Sequence, residues 1–171
     1  MAGNEPVPEL DERFGDGTEP MSRAEVEQVL TDAEIFWITT TKVDGQPHTT
    51  PLLSVRLDGA QWFCTGPDEQ KGKNLQRQAL CNLLTGSNAY GEGLDVAIEG
   101  EAVRTEDEGL LRRLAAAWHE KYGDDWQFDV AHGAFLNEEG GPAWVYEVRP
   151  SKVLAFTRGV ATQTRFRFDH D

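Results

Sequence analysis

The chain has 171 residues, and 16 basic against 30 acidic side chains give a formal net charge of −14. That length suits one globular domain, and an apolar share of 39%, with five Trp, eight Phe and three Tyr, supplies the bulk for a packed core. The acidity disfavours phosphate backbones and anionic lipid headgroups. No apolar run approaches the roughly 20 residues that span a bilayer, and the N-terminus is acidic where a targeting peptide is basic. The expectation is a cytoplasmic protein with neither nucleic-acid nor membrane partners.

Residues 1–20 carry three prolines and a run of acids with few hydrophobes, which predicts a disordered acidic N-terminal tail ahead of a folded domain over 21–171. Ser22-Arg23-Ala24-Glu25 has capping-box spacing, and Val26, Val29 and Leu30 follow on one face of a short helix. IFWITTT (35–41) is β-branched and aromatic, Asp44-Gly45 marks a hairpin turn, and residues 47–57 read as the returning strand. Asp58-Gly59 repeats the signal before a strand over 61–65. A polar segment over 66–78 precedes a strand in LCNLLTG (80–86), and residues 94–104 alternate apolar and polar like a half-buried strand. Thr105 and Glu108 match a second capping box, opening a helix with a stripe of Leu110, Leu111, Leu114, Trp118 and Tyr122. Two late strands, 143–148 and 152–157, flank Arg149-Pro150-Ser151. Hairpin spacing throughout predicts a mainly β protein with helices, an α+β antiparallel β-barrel and not alternating βαβ units.

Most chemistry-bearing motifs are absent. GEGLDV (91–96) starts like a dinucleotide fingerprint but lacks the third glycine and leads into a strand. GPDEQKGKN (66–74) resembles a phosphate loop, yet Asn74 stands where magnesium needs Ser or Thr. His48, His119, His132 and His170 are scattered and form no metal-ligand spacing, so no metal is expected. Ser54, Ser87 and Ser151 lack a nucleophile-elbow context. Cys64 and Cys81 sit in separate apolar strands and read as free buried thiols. No catalytic constellation emerges.

Two basic clusters remain. Lys71, Lys73 and Arg77 are packed into seven positions beside Gly72, at the predicted start of a short helix. They fit either a phosphate site or a solvated turn. Thr164-Arg165-Phe166-Arg167-Phe168 alternates charge with aromatics, as does an edge strand with snorkelling arginines.

The order TTTKVDGQPHTTPL, FCTGPDEQKGKNLQ, LCNLLTG, VAIEGEAVR and TRFRF resembles the pyridoxamine 5'-phosphate oxidase-like family of flavin- or deazaflavin-binding split β-barrels, over residues 21–168. The resemblance implies a six-stranded antiparallel split barrel that forms a homodimer with cofactor clefts at the subunit interface. It places Thr49, Thr50, Pro51 and Leu52 beside an isoalloxazine ring. Phe63, Cys64, Thr65 and Gly66 fall along a ribityl chain, and Lys71, Lys73 and Asn74 at its phosphate. Gln163, Arg165 and Arg167 approach from the partner subunit. A pyridoxamine-phosphate oxidase proper has a longer C-terminal segment and an Arg-Leu-His-type motif, and this chain ends in TRFRF without a matching His.

The function implied is an FMN-dependent oxidoreductase, or an F420-dependent one, transferring a hydride between cofactor and a small organic substrate. Thr50 and Thr65 are candidate hydrogen-bonding partners, and Trp62, Trp118, Trp126 and Phe166 candidate pocket walls, though each aromatic also suits a core. His48 is the one candidate proton donor. Arg56, Arg77, Arg104, Arg165 and Arg167 are candidates for a groove that would suit the longer anionic tail of F420. The alternatives are a flavin-, haem- or tetrapyrrole-binding protein without turnover, and a purely structural dimer.

Overall fold

A computed structural model describes residues 6–14, 19–136, 141–159 and 162–168. Residues 1–5 and 15–18 of the N-terminal segment, and His170, lie outside them. The described chain runs β1 (Glu9–Leu10), α1 (Arg23–Asp32), β2 (Phe36–Thr41), β3 (Pro47–Leu52), β4 (Ser54–Leu57), β5 (Ala60–Thr65), α2 (Gln70–Leu75), β6 (Leu80–Thr85) and β7 (Leu94–Thr105). It continues with α3 (Glu108–Tyr122), a 3-10 turn (Asp124–Trp126), β8 (Asp129–Ala131), β9 (Ala134–Leu136), β10 (Pro142–Thr157) and β11 (Thr162–Arg167).

All pairings are antiparallel, along the path β1-β11-β10-β7-β6-β2-β3. The long strand β10 makes the split. One edge pairs with β7 over its length, while the other takes β5 opposite Trp144–Val148 and β11 opposite Lys152–Thr157. The barrel with helices is therefore the observed class, with more strands than six. Residues 143–148 and 152–157 belong to one strand, bulged between Pro150 and Lys152, where proline has no N–H to give the ladder. Gly100 pairs with Pro150 there, and a Cβ on it would overlap the Arg149 carbonyl oxygen. Residues 47–57 divide at Leu53 into β3 and β4, which join different neighbours.

Strand alternation sorts two cores. Phe36, Ile38, Phe63, Leu83, Ile98, Tyr146 and Val148 fill the barrel, closed by Val26 and Leu30 of α1. Val55, Trp62 and Val145 face outward and are covered by Leu111, Leu114 and Trp118 of α3, with Phe135. The first capping box forms as expected: the Glu25 N–H donates to Ser22 Oγ at 3.3 Å and the Ser22 N–H to Glu25 Oε2 at 2.9 Å. The second does not. Asp107, a stronger cap, accepts from the Gly109 and Leu110 N–H groups, and Thr105 stays in β7.

Part of the segment read as a tail is ordered. Glu9 and Leu10 pair with Arg165 and Thr164, and Asp11 is buried, gripped by Arg13 at 2.9 and 2.6 Å. No helix among the described residues is long and apolar enough to cross a membrane.

Candidate functional site

A cleft of about 600 Å³ opens where β3 breaks from β4. Pro51, Leu52, Leu53 and Ile35 line it together with the aromatic side chains of Trp118, Trp126 and Phe128 and with Pro142 and Ala143. Cys64, Thr65, Gly66, Glu69 and Lys71 close one end. The break is held open by the end of α3. The Lys121 ammonium donates to the carbonyls of Ala33 (2.7 Å) and Ser54 (3.0 Å). The Tyr122 hydroxyl accepts from the Ser54 N–H at 3.1 Å and lies 2.8 Å from the Ser54 carbonyl. Burial lowers the Lys121 pKa and raises that of Tyr122.

The polar end is built on the turn from β5 into α2. Glu69 directs its carboxylate backwards, where Oε1 accepts from the Gly66 N–H at 2.8 Å and the Thr65 hydroxyl at 3.1 Å, and Oε2 pairs with the Lys71 ammonium. Burial pushes the Glu69 carboxyl up, but the bonds from Lys71, Gly66 and Thr65 outweigh it and hold the group below its ordinary value. The Cys64 thiol is pushed up to about 12, by burial first and then by the Glu69 charge, so it stays protonated at neutral pH. The turn itself is tight: a Cβ on Gly72 would overlap the Gly66 carbonyl oxygen.

Pro51, Leu52, Cys64, Thr65, Gly66 and Lys71 are thus brought together, with Trp118 and Trp126 among the candidate walls. Other named positions lie elsewhere. Phe63 alternates away from Cys64 into the barrel, stacked on Tyr146 at 5.3 Å, and Trp62 and Phe166 are core residues. Asn74 is buried and ties α2 to β2, donating to Thr40 Oγ1 at 2.9 Å and accepting from Gln70 at 2.8 Å. Lys73 points to solvent. Thr49 shares a hydroxyl contact of 2.9 Å with Thr39, while Thr50 Oγ1 is buried without a partner. His48 pairs with Thr40 in the sheet and lines no part of the cleft.

Gln163, Arg165 and Arg167 lie on β11 and do not line the cleft, with Arg165 and Arg167 near Glu9 at 3.3 and 3.9 Å. The five arginines suggested for one groove do not line one. Arg56 pairs with Glu27, Arg104 stacks on Trp144 at 4.1 Å, and Arg77 is exposed. Among the described residues no three His, Cys, Asp or Glu side chains converge to hold a metal. Leu53, Ile35, Phe128 and Glu69 were not singled out from the sequence. Glu69 had a visible signal, an acid placed two positions before Lys71.

The chain belongs to the pyridoxamine 5'-phosphate oxidase family, whose sequence model matches residues 22–156. No curated protein matches it. Among solved structures, it is similar to a conserved hypothetical protein of Mycobacterium tuberculosis (TM-score 0.65, 22% identity, 80% of this chain and 85% of that one). A heme-binding protein of Mycobacterium smegmatis superposes with TM-score 0.64 at 16% identity, over 86% of this chain and 58% of that one. An FAD-binding protein of the same organism gives 0.55 at 20%, over 86% and 98%. At these identities the likeness is one of fold.

Proposed function

We propose that this protein is a flavin-dependent oxidoreductase of the cytoplasm that holds FMN, or F420 in its place, in the cleft beside β3 and reduces or oxidises a small organic substrate there. The observation that carries the reading is the shape of the cleft. A slot of about 600 Å³ walled by aliphatic and aromatic side chains ends in a backbone N–H, a hydroxyl and a lysine. Apolar walls suit a flat tricyclic ring, and the donors suit a polar arm with an anionic end. A bound flavin supplies the hydride chemistry. The chain's part is to exclude water with Trp126 and Phe128, to position the ring against Pro51–Leu53, and to anchor the arm through Thr65, Gly66 and Lys71.

The outer face of the sheet supports a homodimer. Pro51, Trp37, Leu84 and Ala97 stand in register across β3, β2, β6 and β7, and Trp37 and Leu84 are 48% and 41% exposed. Ile35, 48% exposed, and Pro51 belong both to this side of the sheet and to the cleft wall, so a second copy covering the face borders the cleft.

A binding protein without turnover is the second reading, supported by the relative named for heme binding and by the scarcity of proton donors in the cleft. Among the described residues no His or Met lines it and its cysteine stays protonated, which favours a flavin over haem. Absorbance titration of the purified protein with FMN and, separately, with F420 tests the proposal. Saturable spectral shifts with one cofactor and steady-state turnover with an electron donor are expected. Binding without turnover supports the second reading, and no binding of either contradicts the first and leaves the second only in its haem- or tetrapyrrole-binding form.

A further inference from the structure

The donors at the polar end of the cleft already have an acceptor. A backbone N–H, a hydroxyl and an ammonium converge on the Glu69 carboxylate, and the same set would hold the phosphate of a ligand. The carboxylate is not required as a helix cap: Glu69 occupies the N-cap position of α2 yet makes no capping hydrogen bond. Exposure is divided unequally within the pair, with the Lys71 side chain 12% exposed and that of Glu69 51%. The donors are therefore part of the packed wall, and the acceptor has open water beside it.

We propose that the Glu69 carboxylate is an internal competitor for this donor set, and so the residue that sets how strongly the cleft discriminates a phosphorylated from an unphosphorylated ligand. The identity of the ligand rests on the flavin reading above; the competition itself does not. A phosphomonoester arriving at Lys71 must either displace Glu69 or share one ammonium with it, and both lower its affinity. A neutral polyol meets no such repulsion, because its hydroxyls donate to the carboxylate.

Flavin fluorescence quenching compares FMN with riboflavin on the wild type and on Glu69→Gln, which keeps an oxygen for the Gly66 N–H and removes the charge. FMN affinity is expected to rise about tenfold, riboflavin affinity to stay within about twofold, and the FMN gain to shrink as salt is added. Equal changes for the two flavins, or a loss for FMN, overturn the proposal and leave Glu69 a loop-shaping residue. Should neither flavin bind either protein, the flavin reading has failed, and inorganic phosphate decides the competition. The Gly66 amide resonance is then expected to move with phosphate in Glu69→Gln at concentrations that leave the wild type unmoved. The same response in both proteins, or none in either, overturns the proposal.

Discussion

Tyr122 does at the scale of one hydroxyl what the cleft requires of the strand break. It satisfies the N–H of the buried Ser54, the first residue of β4, next to Leu53. Tyr122→Phe leaves that N–H without a partner and is expected to cost about 1–3 kcal/mol in urea denaturation, with weaker flavin binding as the Leu52–Leu53 wall relaxes. An unchanged denaturation midpoint contradicts this role. Cys64 makes a second prediction at this scale. With its thiol, like that of Cys81, pushed up to about 12, Cys64 at the cleft is expected to react with a thiol reagent at neutral pH far more slowly than a free cysteine, buried Cys81 not at all, and both readily after denaturation. At this level the sequence was half legible. Lys71 stands out by type and spacing and Thr65 through the family resemblance, whereas Asn74 rests on the same resemblance and is buried against Thr40. A local motif does not say which way a helix turns its side chains.

Among the elements, α2 matters most because it is short and tightly seated. Gly72→Ala drives a Cβ into the Gly66 carbonyl, so the helix must move off the turn that carries Thr65 and Gly66. A loss of about 1–3 kcal/mol in thermal or urea unfolding is expected, together with weakened FMN binding, and an equally stable variant with intact binding contradicts the packing described here. The β1 segment gives the pH prediction. Side-chain and backbone hydrogen bonds from Arg13 bring Asp11 down to about 2 from 3.8. A carboxylate depressed in the folded state stabilises it above the unfolded pKa, and that contribution is lost as the pH falls from about 4 towards 2. The stability gap between wild type and Asp11→Asn should therefore be present at pH 5 and close on acidification through that window. A gap independent of pH contradicts it. Hairpins were the legible elements, since Asp44-Gly45 and Asp58-Gly59 demand left-handed backbone and adopt it, with Gly45 at φ 85° and Asp58 and Gly59 at 52° and 76°. The Leu53 break was not, because LLSVRL carries no Gly, Asn, Asp or Pro to mark a turn and only the separate partners of β3 and β4 divide it. The N-terminal pairing was hidden likewise: composition speaks for disorder, and the partner strand lies some 150 residues away.

For the whole molecule, an acidic chain sets one basic side chain, Lys71, at the polar end of the cleft and leaves Trp37 and Leu84 exposed side by side on the outer sheet. Trp37→Glu places a charge on that face. It is expected to yield monomer in analytical sedimentation and to weaken cofactor binding in parallel, and a dimer that survives the change places the interface elsewhere. The family was legible because hairpin order and the spacing of loose motifs survive where single residues drift. The site was legible in part, Trp118 and Trp126 included, whereas Phe128 and Leu53 carry no local signal and reach the cleft only through the fold. The most direct measurement is a crystal structure of the protein grown with excess FMN. Ring density is expected between Pro51–Leu53 and Trp126–Phe128, with the phosphate at Lys71 and the Glu69 carboxylate swung away. Density for the flavin at any other place, or a cleft left empty with the Glu69–Lys71 pair intact, contradicts it.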